Sequence, residues 1–98
     1  MTSWDDPVVR WYKHGQIGYV RRRDLSAYNS DTGSSRNDVE EARSIRIAPG
    51  VTVDLYENPG YRGCHRRYSN CGGSSWDSHN LPRGCLYNDV DAYKVYKC

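Results

Sequence analysis

Short alternations of apolar and polar residues recur along the 98-residue chain, and they predict strands rather than helices. In the clearest case, residues 51–56 alternate, Pro59-Gly60 supplies a turn, and Tyr61-Arg62-Gly63 begins a second run. The other β-branched or aromatic runs lie at 8–12, 19–21, 44–47 and 93–96. Only residues 39–43 have the composition of a helical turn. The pattern therefore predicts an all-β protein with a tight hairpin near residue 60.

The two halves of the chain repeat one pattern. Residues 11–18 parallel 55–63 with one residue fewer, and Asn37-Asp38-Val39 recurs as Asn88-Asp89-Val90. Each copy predicts a hairpin, a long loop, an Asn-Asp turn and a returning strand, which together form a Greek key. One copy alone would leave an apolar face in water, so two copies are expected to close on each other as a sandwich.

A single domain over 1–98 follows from this repeat. Ala48-Pro49-Gly50 separates the halves but is too short to be a flexible linker. We expect a first Greek-key motif at 8–48, a second at 51–98, and about eight short strands in all.

The hairpin pattern Leu55-Tyr56-Glu57-x-x-x-Tyr61-x-Gly63 resembles the signature of the βγ-crystallin Greek key. In that family an aromatic residue packs over the folded hairpin, and the glycine adopts a backbone conformation that a side chain would obstruct. Gly18 stands at the equivalent place in the first half, although Ile17 replaces the aromatic residue. The resemblance implies that Tyr12 and Tyr56 pack on their own hairpins.

Calcium is the ligand that the resemblance implies. The family supplies oxygen ligands from turns of the form Asn/Asp, Asn/Asp, two free residues, Ser/Thr, Ser, and calcium takes six to eight oxygens. Both turns of this chain keep the first two positions and lose the hydroxyl pair, and Lys13 replaces the acidic residue seen at Glu57. We therefore expect at most weak calcium binding, with these candidate ligands: Asn37, Asp38, Glu41, Glu57, Asn88 and Asp89. The alternative is that each Asn-Asp pair only bonds its local backbone.

The cysteines are even in number and lie in the C-terminal half at Cys64, Cys71, Cys85 and Cys98. In a small domain this arrangement predicts two disulfides and an oxidising, secreted location. The first residues do not resemble a signal peptide, so a cytoplasmic location is the alternative. A zinc site with His65 or His79 is the rival use of the cysteines, but their spacing lacks the close Cys-x2–4-Cys pairs that zinc sites use.

The Greek-key topology implies a disulfide pairing where four cysteines alone allow three. If the first strand of the second motif lies between its hairpin partner and the final strand, Cys64 comes near Cys85, and Cys71 comes near Cys98. The bridged strands would be two strand spacings apart, which is too far for a disulfide between strand residues. Loop residues would therefore have to close both bridges.

A surface of aromatic and basic residues is the basis of a second functional hypothesis. Arg21-Arg22-Arg23 is the only run of cations, Trp4 and Trp76 are expected to be exposed, and Trp11 is expected in the core. The sequence ending at 93–98 looks like that of small disulfide-bonded relatives, including antimicrobial and killer-toxin-like proteins and metalloproteinase inhibitors. A secreted effector could use this surface, or a protruding loop at 70–84, against a protein or cell-surface target.

Other partners and catalysis are not expected. The net charge is only +2 and the cationic run is short, so no nucleic-acid partner is predicted. No apolar run is long enough to span a membrane, and a monomer is expected. Ser75, Asp77 and His79 are the residue types of a hydrolase triad, but they lie in a polar loop without an oxyanion-hole sequence. The leading hypothesis is therefore a non-enzymatic structural or binding domain, with a secreted effector as the alternative.

Overall fold

The computed structural model describes residues 4–25, 29–30 and 39–98. Within these residues, eight strands form two antiparallel sheets of four strands each. The strands are β1 (Pro7–Tyr12), β2 (Gln16–Arg21), β3 (Asn29–Ser30), β4 (Ser44–Ile47), β5 (Val51–Asn58), β6 (Arg62–Ser69), β7 (Asp77–Asn80) and β8 (Ala92–Lys97). A short 3-10 helix, Arg22–Asp24, follows β2. The predicted all-β fold is confirmed.

Each sheet takes one strand from the opposite half of the chain. The first sheet has the order β2-β1-β4-β7, and the second has the order β3-β8-β5-β6. Strand β7 therefore leaves the second half to join the first sheet, while β3 leaves the first half to join the second. This exchange ties the halves together. The motif boundaries at 8–48 and 51–98 stay a prediction.

The core lies between the two sheets and is centred on two aromatic rings. Trp11 of β1 is fully buried, as expected, and its ring centroid lies 4.8 Å from that of Tyr93 in β8. Trp11 pairs with Ile45 within the first sheet, and Tyr93 pairs with Leu55 within the second. Because burial of large side chains is the main driving force of folding, these four residues join the sheets into one hydrophobic unit.

Strand β7 corrects the prediction of a protruding loop at 70–84. Its residues are polar, but it pairs with β4 from Ser44 to Ile47. Two apolar neighbours hold it there: Leu81 is buried, and Trp76 packs against the core. The strand lacks the alternation of apolar and polar residues by which strands are recognised in a sequence. It is held instead by its apolar neighbours and by its backbone hydrogen bonds to β4.

Asn70 fixes the corner between β6 and β7. It is buried, and its side-chain Nδ2 donates to the Ile47 carbonyl at 3.0 Å and to the Ser75 carbonyl at 2.9 Å. Its backbone exchanges hydrogen bonds with Gly50 and Val51. A buried amide with these partners positions the chain that leaves the second sheet for the first.

The β5–β6 hairpin has the tight backbone that its sequence predicts. Gly60, Tyr61 and Gly63 have positive φ angles of 76°, 61° and 79°. Tyr56 packs on its own hairpin, as predicted, with its ring 5.4 Å from Tyr61 and stacked 4.6 Å from His65. In the first hairpin the equivalent glycine is buried but does not have a positive φ, so only the second hairpin needs a glycine for this reason.

Replacing Gly63 with alanine should lower the free energy of unfolding by about 1 to 3 kcal/mol. A Cβ atom there would lie 2.5 Å from Asn58 Nδ2 and 3.1 Å from Glu57 Oε1, on a backbone that side chains rarely adopt. Gly72→Ala is the matched control, because a Cβ at Gly72 has open space and its φ is not positive. Urea unfolding of both variants measures the difference. Equal stability of the two variants would contradict the proposed role of Gly63.

The disulfides of the structure join Cys64 to Cys85 and Cys71 to Cys98, the pairs that the topology implied. Their Cα separations are 5.8 Å and 5.4 Å. Strand β5 lies between β6 and β8, and Cys71, Cys85 and Cys98 lie outside these strands. Because loop and terminal residues are not fixed at the strand spacing, they can close the disulfides across β5, which two strand residues could not.

Candidate functional site

Glu41 is the candidate calcium ligand of the first Asn-Asp turn that lies in the described part of the chain. Asn37 and Asp38 lie outside the described residues. Glu41, the third candidate of this turn, accepts a hydrogen bond from Lys13 Nζ at 2.8 Å. This hydrogen bond and the positive charge of Lys13 lower the pKa of Glu41. The ammonium group of Lys13 therefore already neutralises the carboxylate that was expected to bind calcium.

A second cation contacts the other Asn-Asp turn. Asn88 has a left-handed backbone with φ of 60°, and its Oδ1 accepts a hydrogen bond from Arg43 Nε at 3.2 Å. Its N–H donates to the Ala42 carbonyl at 2.9 Å, which joins the two turns. Glu57 Oε1 accepts from the Cys64 N–H at 3.4 Å, so this carboxylate contacts its own hairpin. Asp89 is exposed.

Asp91 is an acidic residue of the second turn that the sequence analysis did not select. Its pKa is raised by burial first, and then by the negative charges of Asp89, Glu40 and Glu57. Its N–H donates to the Tyr56 carbonyl at 3.1 Å. The signal that identifies it is its place at the second free position of the motif. The carboxylates of Asp89, Glu40 and Glu57 are therefore close enough to Asp91 to disfavour its charged form.

The described residues of the two turns are spread out rather than clustered. In the part of the chain that the structure describes, no three acidic, histidine or cysteine side chains come together as a metal site. The last two motif positions, Ala92 and Tyr93, begin β8 and are buried in the core, so neither exposes a side-chain oxygen at the turn.

The predicted aromatic-basic surface lies beside β2 and the segment that precedes β1. Trp4 is 64% exposed, and its carbonyl accepts a hydrogen bond from the Arg23 N–H at 3.0 Å. The Arg22 N–H donates to the Asp6 carbonyl at 2.9 Å. Arg21 Nη2 donates to the Tyr19 hydroxyl at 3.0 Å. These hydrogen bonds therefore place the Trp4 segment next to the arginine run at the end of β2, where Arg21 and Arg23 line one hollow and Arg22 lines another.

Trp76 is half-buried rather than exposed, which corrects the expectation for this residue. It packs against the core, and the guanidinium carbons of Arg10 and Arg46 lie 5.3 Å and 5.6 Å from its ring centroid. Arg10 and Arg46 are directly opposite each other in β1 and β4. Both distances are within the range of cation–π attraction, so the indole ring organises the charge on this face.

A third cluster surrounds Asp54 on the second sheet. The carboxylate is almost fully buried and accepts hydrogen bonds from Arg67 Nε at 2.7 Å, Arg67 Nη2 at 3.2 Å and the Tyr96 hydroxyl at 3.0 Å. His65 Nε2 lies 3.4 Å from the same carboxylate. Burial raises the pKa of Asp54, but the hydrogen bonds from Arg67, Tyr96 and His65 outweigh it, and the pKa falls below its ordinary value. The Asp54 carboxylate is therefore held in its charged form by hydrogen-bonding partners, and this cluster stabilises the fold.

The residues considered for a triad or a zinc site have the following contacts in the structure. Asp77 and His79 lie in β7, and the His79 ring packs 4.6 Å from that of Tyr68. The Ser75 carbonyl accepts from Asn70. All four cysteines are in disulfides, so they provide no thiolate for zinc.

Helices of membrane-spanning length and apolarity are absent from the described part of the chain.

No protein-family model and no curated protein matches the sequence. A comparison of structures finds similarity to a solved chain described as "Evolution of the eye lens beta-gamma-crystallin domain fold", with a TM-score of 0.70. The match covers 100% of this chain and 95% of the other, at 15% sequence identity. The chain therefore has the βγ-crystallin domain fold, which was the fold implied by the 55–63 hairpin.

Proposed function

We propose that the chain is a non-catalytic, disulfide-bridged βγ-crystallin-like binding domain that folds without calcium and binds this ion only weakly. The observation that supports it is the presence of a cation at each turn. Lys13 contacts Glu41, and Arg43 contacts Asn88. Each cation occupies an oxygen that was a candidate calcium ligand, and its charge also repels an incoming ion.

Calorimetric titration of the metal-stripped protein tests this proposal. The expected dissociation constant lies at the weak end of the calcium range, roughly 10⁻⁴ to 10⁻³ M. The melting temperature without calcium should remain close to its value with micromolar calcium, because so weak a ligand adds little stability at that concentration. A submicromolar constant would overturn the proposal.

The Lys13→Gln variant tests the role of the internal cation. Removing the ammonium group frees Glu41, so calcium should bind at least about threefold more tightly. Lys97→Gln removes the same charge from the exposed end of β8 and should leave calcium binding unchanged. Equal affinities of the two variants would show that Lys13 does not oppose the ion.

A second candidate function is that of a secreted effector, an antimicrobial or killer-toxin-like protein or a protease inhibitor. It is supported by the exposed Trp4 beside the arginine run and by the cation–π pairs at Trp76. The two disulfides are compatible with an extracellular location. Growth inhibition of fungi and bacteria, together with assays of metalloproteinase inhibition, tests the activity. Trp4→Ala should weaken whichever activity is found, and activity in none of these assays would remove this candidate.

A further inference from the structure

A concave site of about 330 Å³ lies on the first sheet, and two arginines line it. Arg10 comes from β1, and Arg22 comes from the 3-10 helix that follows β2. Trp76 lines it as well, together with Asp6 and Pro49. None of the candidate calcium ligands that the structure describes lines it.

Both arginines present an unused hydrogen-bond donor. Within residues 4–25, 29–30 and 39–98, Arg10 Nε and Arg22 Nε are buried and have no hydrogen-bond partner. Buried polar groups in folded proteins are nearly always hydrogen-bonded, and a buried unpaired donor of a cation is costly. Arg10 and Arg22 line the same cavity, so one ligand there can accept hydrogen bonds from both guanidinium groups.

The backbone holds this pair of arginines in place. The Arg22 N–H donates to the Asp6 carbonyl at 2.9 Å, and the Ala48 N–H donates to the Val8 carbonyl at 2.8 Å, next to Pro49. Arg10 is positioned by its place in β1 and by the ring of Trp76 at 5.3 Å. The site is therefore formed before any ligand binds, which reduces the entropy lost on binding.

The charge of the site favours an anion. The guanidinium groups of Arg10 and Arg22 line the cavity, and Arg46 adds a third positive charge beside Trp76. Asp6 supplies one negative charge to the lining, and this residue is not free of other contacts. Positive charge thus exceeds negative charge around the cavity.

We propose that this cavity binds a tetrahedral oxyanion, the phosphate or sulfate group of a small molecule or the free ion. A tetrahedral dianion carries a higher charge than a carboxylate and directs its oxygens to more sides, so it is well suited to accept hydrogen bonds from two guanidinium groups at once. The indole ring of Trp76 forms a flat apolar wall for the organic part of an ester. If the protein is a secreted effector, this site identifies a class of ligand for it. Oxyanion binding itself depends neither on the effector function nor on calcium binding.

Titration with inorganic phosphate and with sulfate, at constant ionic strength set by chloride, tests the site. In the unmodified protein, the Nε–H NMR resonances of Arg10 and Arg22 should shift together and saturate with phosphate. Arg10→Gln and Arg22→Gln should each weaken phosphate binding at least tenfold. The control is Arg66→Gln, which removes an exposed arginine of β6 in the other sheet and should change binding less than twofold.

Further measurements distinguish a free oxyanion from an ester, and a further variant allows the test even if a glutamine variant does not fold. A sugar phosphate or sulfated monosaccharide that binds more tightly than the free ion, and loses this advantage in Trp76→Leu, indicates an ester as the ligand. Equal binding of ester and free ion indicates the ion itself. If a glutamine variant fails to fold, Arg22→Lys, which keeps the charge but lacks Nε, should still weaken binding. Unshifted Arg10 and Arg22 resonances, or equal losses in Arg66→Gln, would overturn the proposal, whatever the growth assays show.

Discussion

Replacing Cys71 and Cys98 together with alanine should lower the free energy of unfolding by about 3 to 4 kcal/mol. The two cysteines are 27 residues apart in sequence, so their bridge removes the conformational freedom of a long loop from the unfolded chain. The bridge also ties the end of β8 to the chain that leaves β6. Thr52 in the central strand β5 lies beneath it, with its Oγ1 3.4 Å and 3.5 Å from the two sulfur atoms.

The Cys64→Ala/Cys85→Ala double variant provides the comparison for this prediction. Its loop spans 21 residues in sequence, so the chain-entropy argument gives it a similar effect of about 3 kcal/mol. Urea unfolding without reductant measures both variants, and peptide mapping without reduction verifies the pairing in the unmodified protein. A loss below about 1 kcal/mol in both variants, or a Cys64–Cys98 peptide, would contradict this account.

The second large effect is expected at Asp54. Asp54→Ala should destabilise the protein by about 2 to 3 kcal/mol at neutral pH, because a buried carboxylate there accepts charge-assisted hydrogen bonds from Arg67 and one from the Tyr96 hydroxyl. Tyr96→Phe removes only one of these bonds and should cost about 1 kcal/mol. A smaller loss in Asp54→Ala than in Tyr96→Phe would show that the carboxylate is not the centre of the cluster.

The pH dependence of stability follows from the lowered pKa of Asp54. As the pH falls below about 4, the unfolded state takes up this proton before the folded state does. The contribution of Asp54 is therefore complete above about pH 4 and is lost as the pH falls through the folded pKa. Urea unfolding from pH 7 to pH 2 should show a steeper acid loss in the unmodified protein than in Asp54→Asn. Glu40→Gln removes an exposed carboxylate from a turn and is the control. It should retain the acid loss of stability that is due to Asp54.

Local chemistry explains why the second hairpin was predictable. Pro59-Gly60 provides the turn, Gly63 supplies a positive φ, and the alternation of β5 identifies Val51, Val53 and Leu55 as the core residues. These properties belong to neighbouring residues, so they can be recognised without knowing the rest of the fold. Once the hairpin indicated the Greek key, the strand order also placed Cys64 with Cys85 and Cys71 with Cys98.

The all-β class could be predicted from the chain alone, as could the second hairpin and the buried position of Trp11, because these depend on periodicity and on conformations that few residues adopt. The strand at the polar residues 77–80 became visible only in the folded chain, since its pairs with β4 join residues as far apart in sequence as Ser44 and Asn80. The same holds for the Lys13–Glu41 ion pair and for the cavity shared by Arg10 and Arg22. Their charges are visible in the sequence, but Coulomb attraction and hydrogen bonding depend on distances in space, which the packing of two sheets sets.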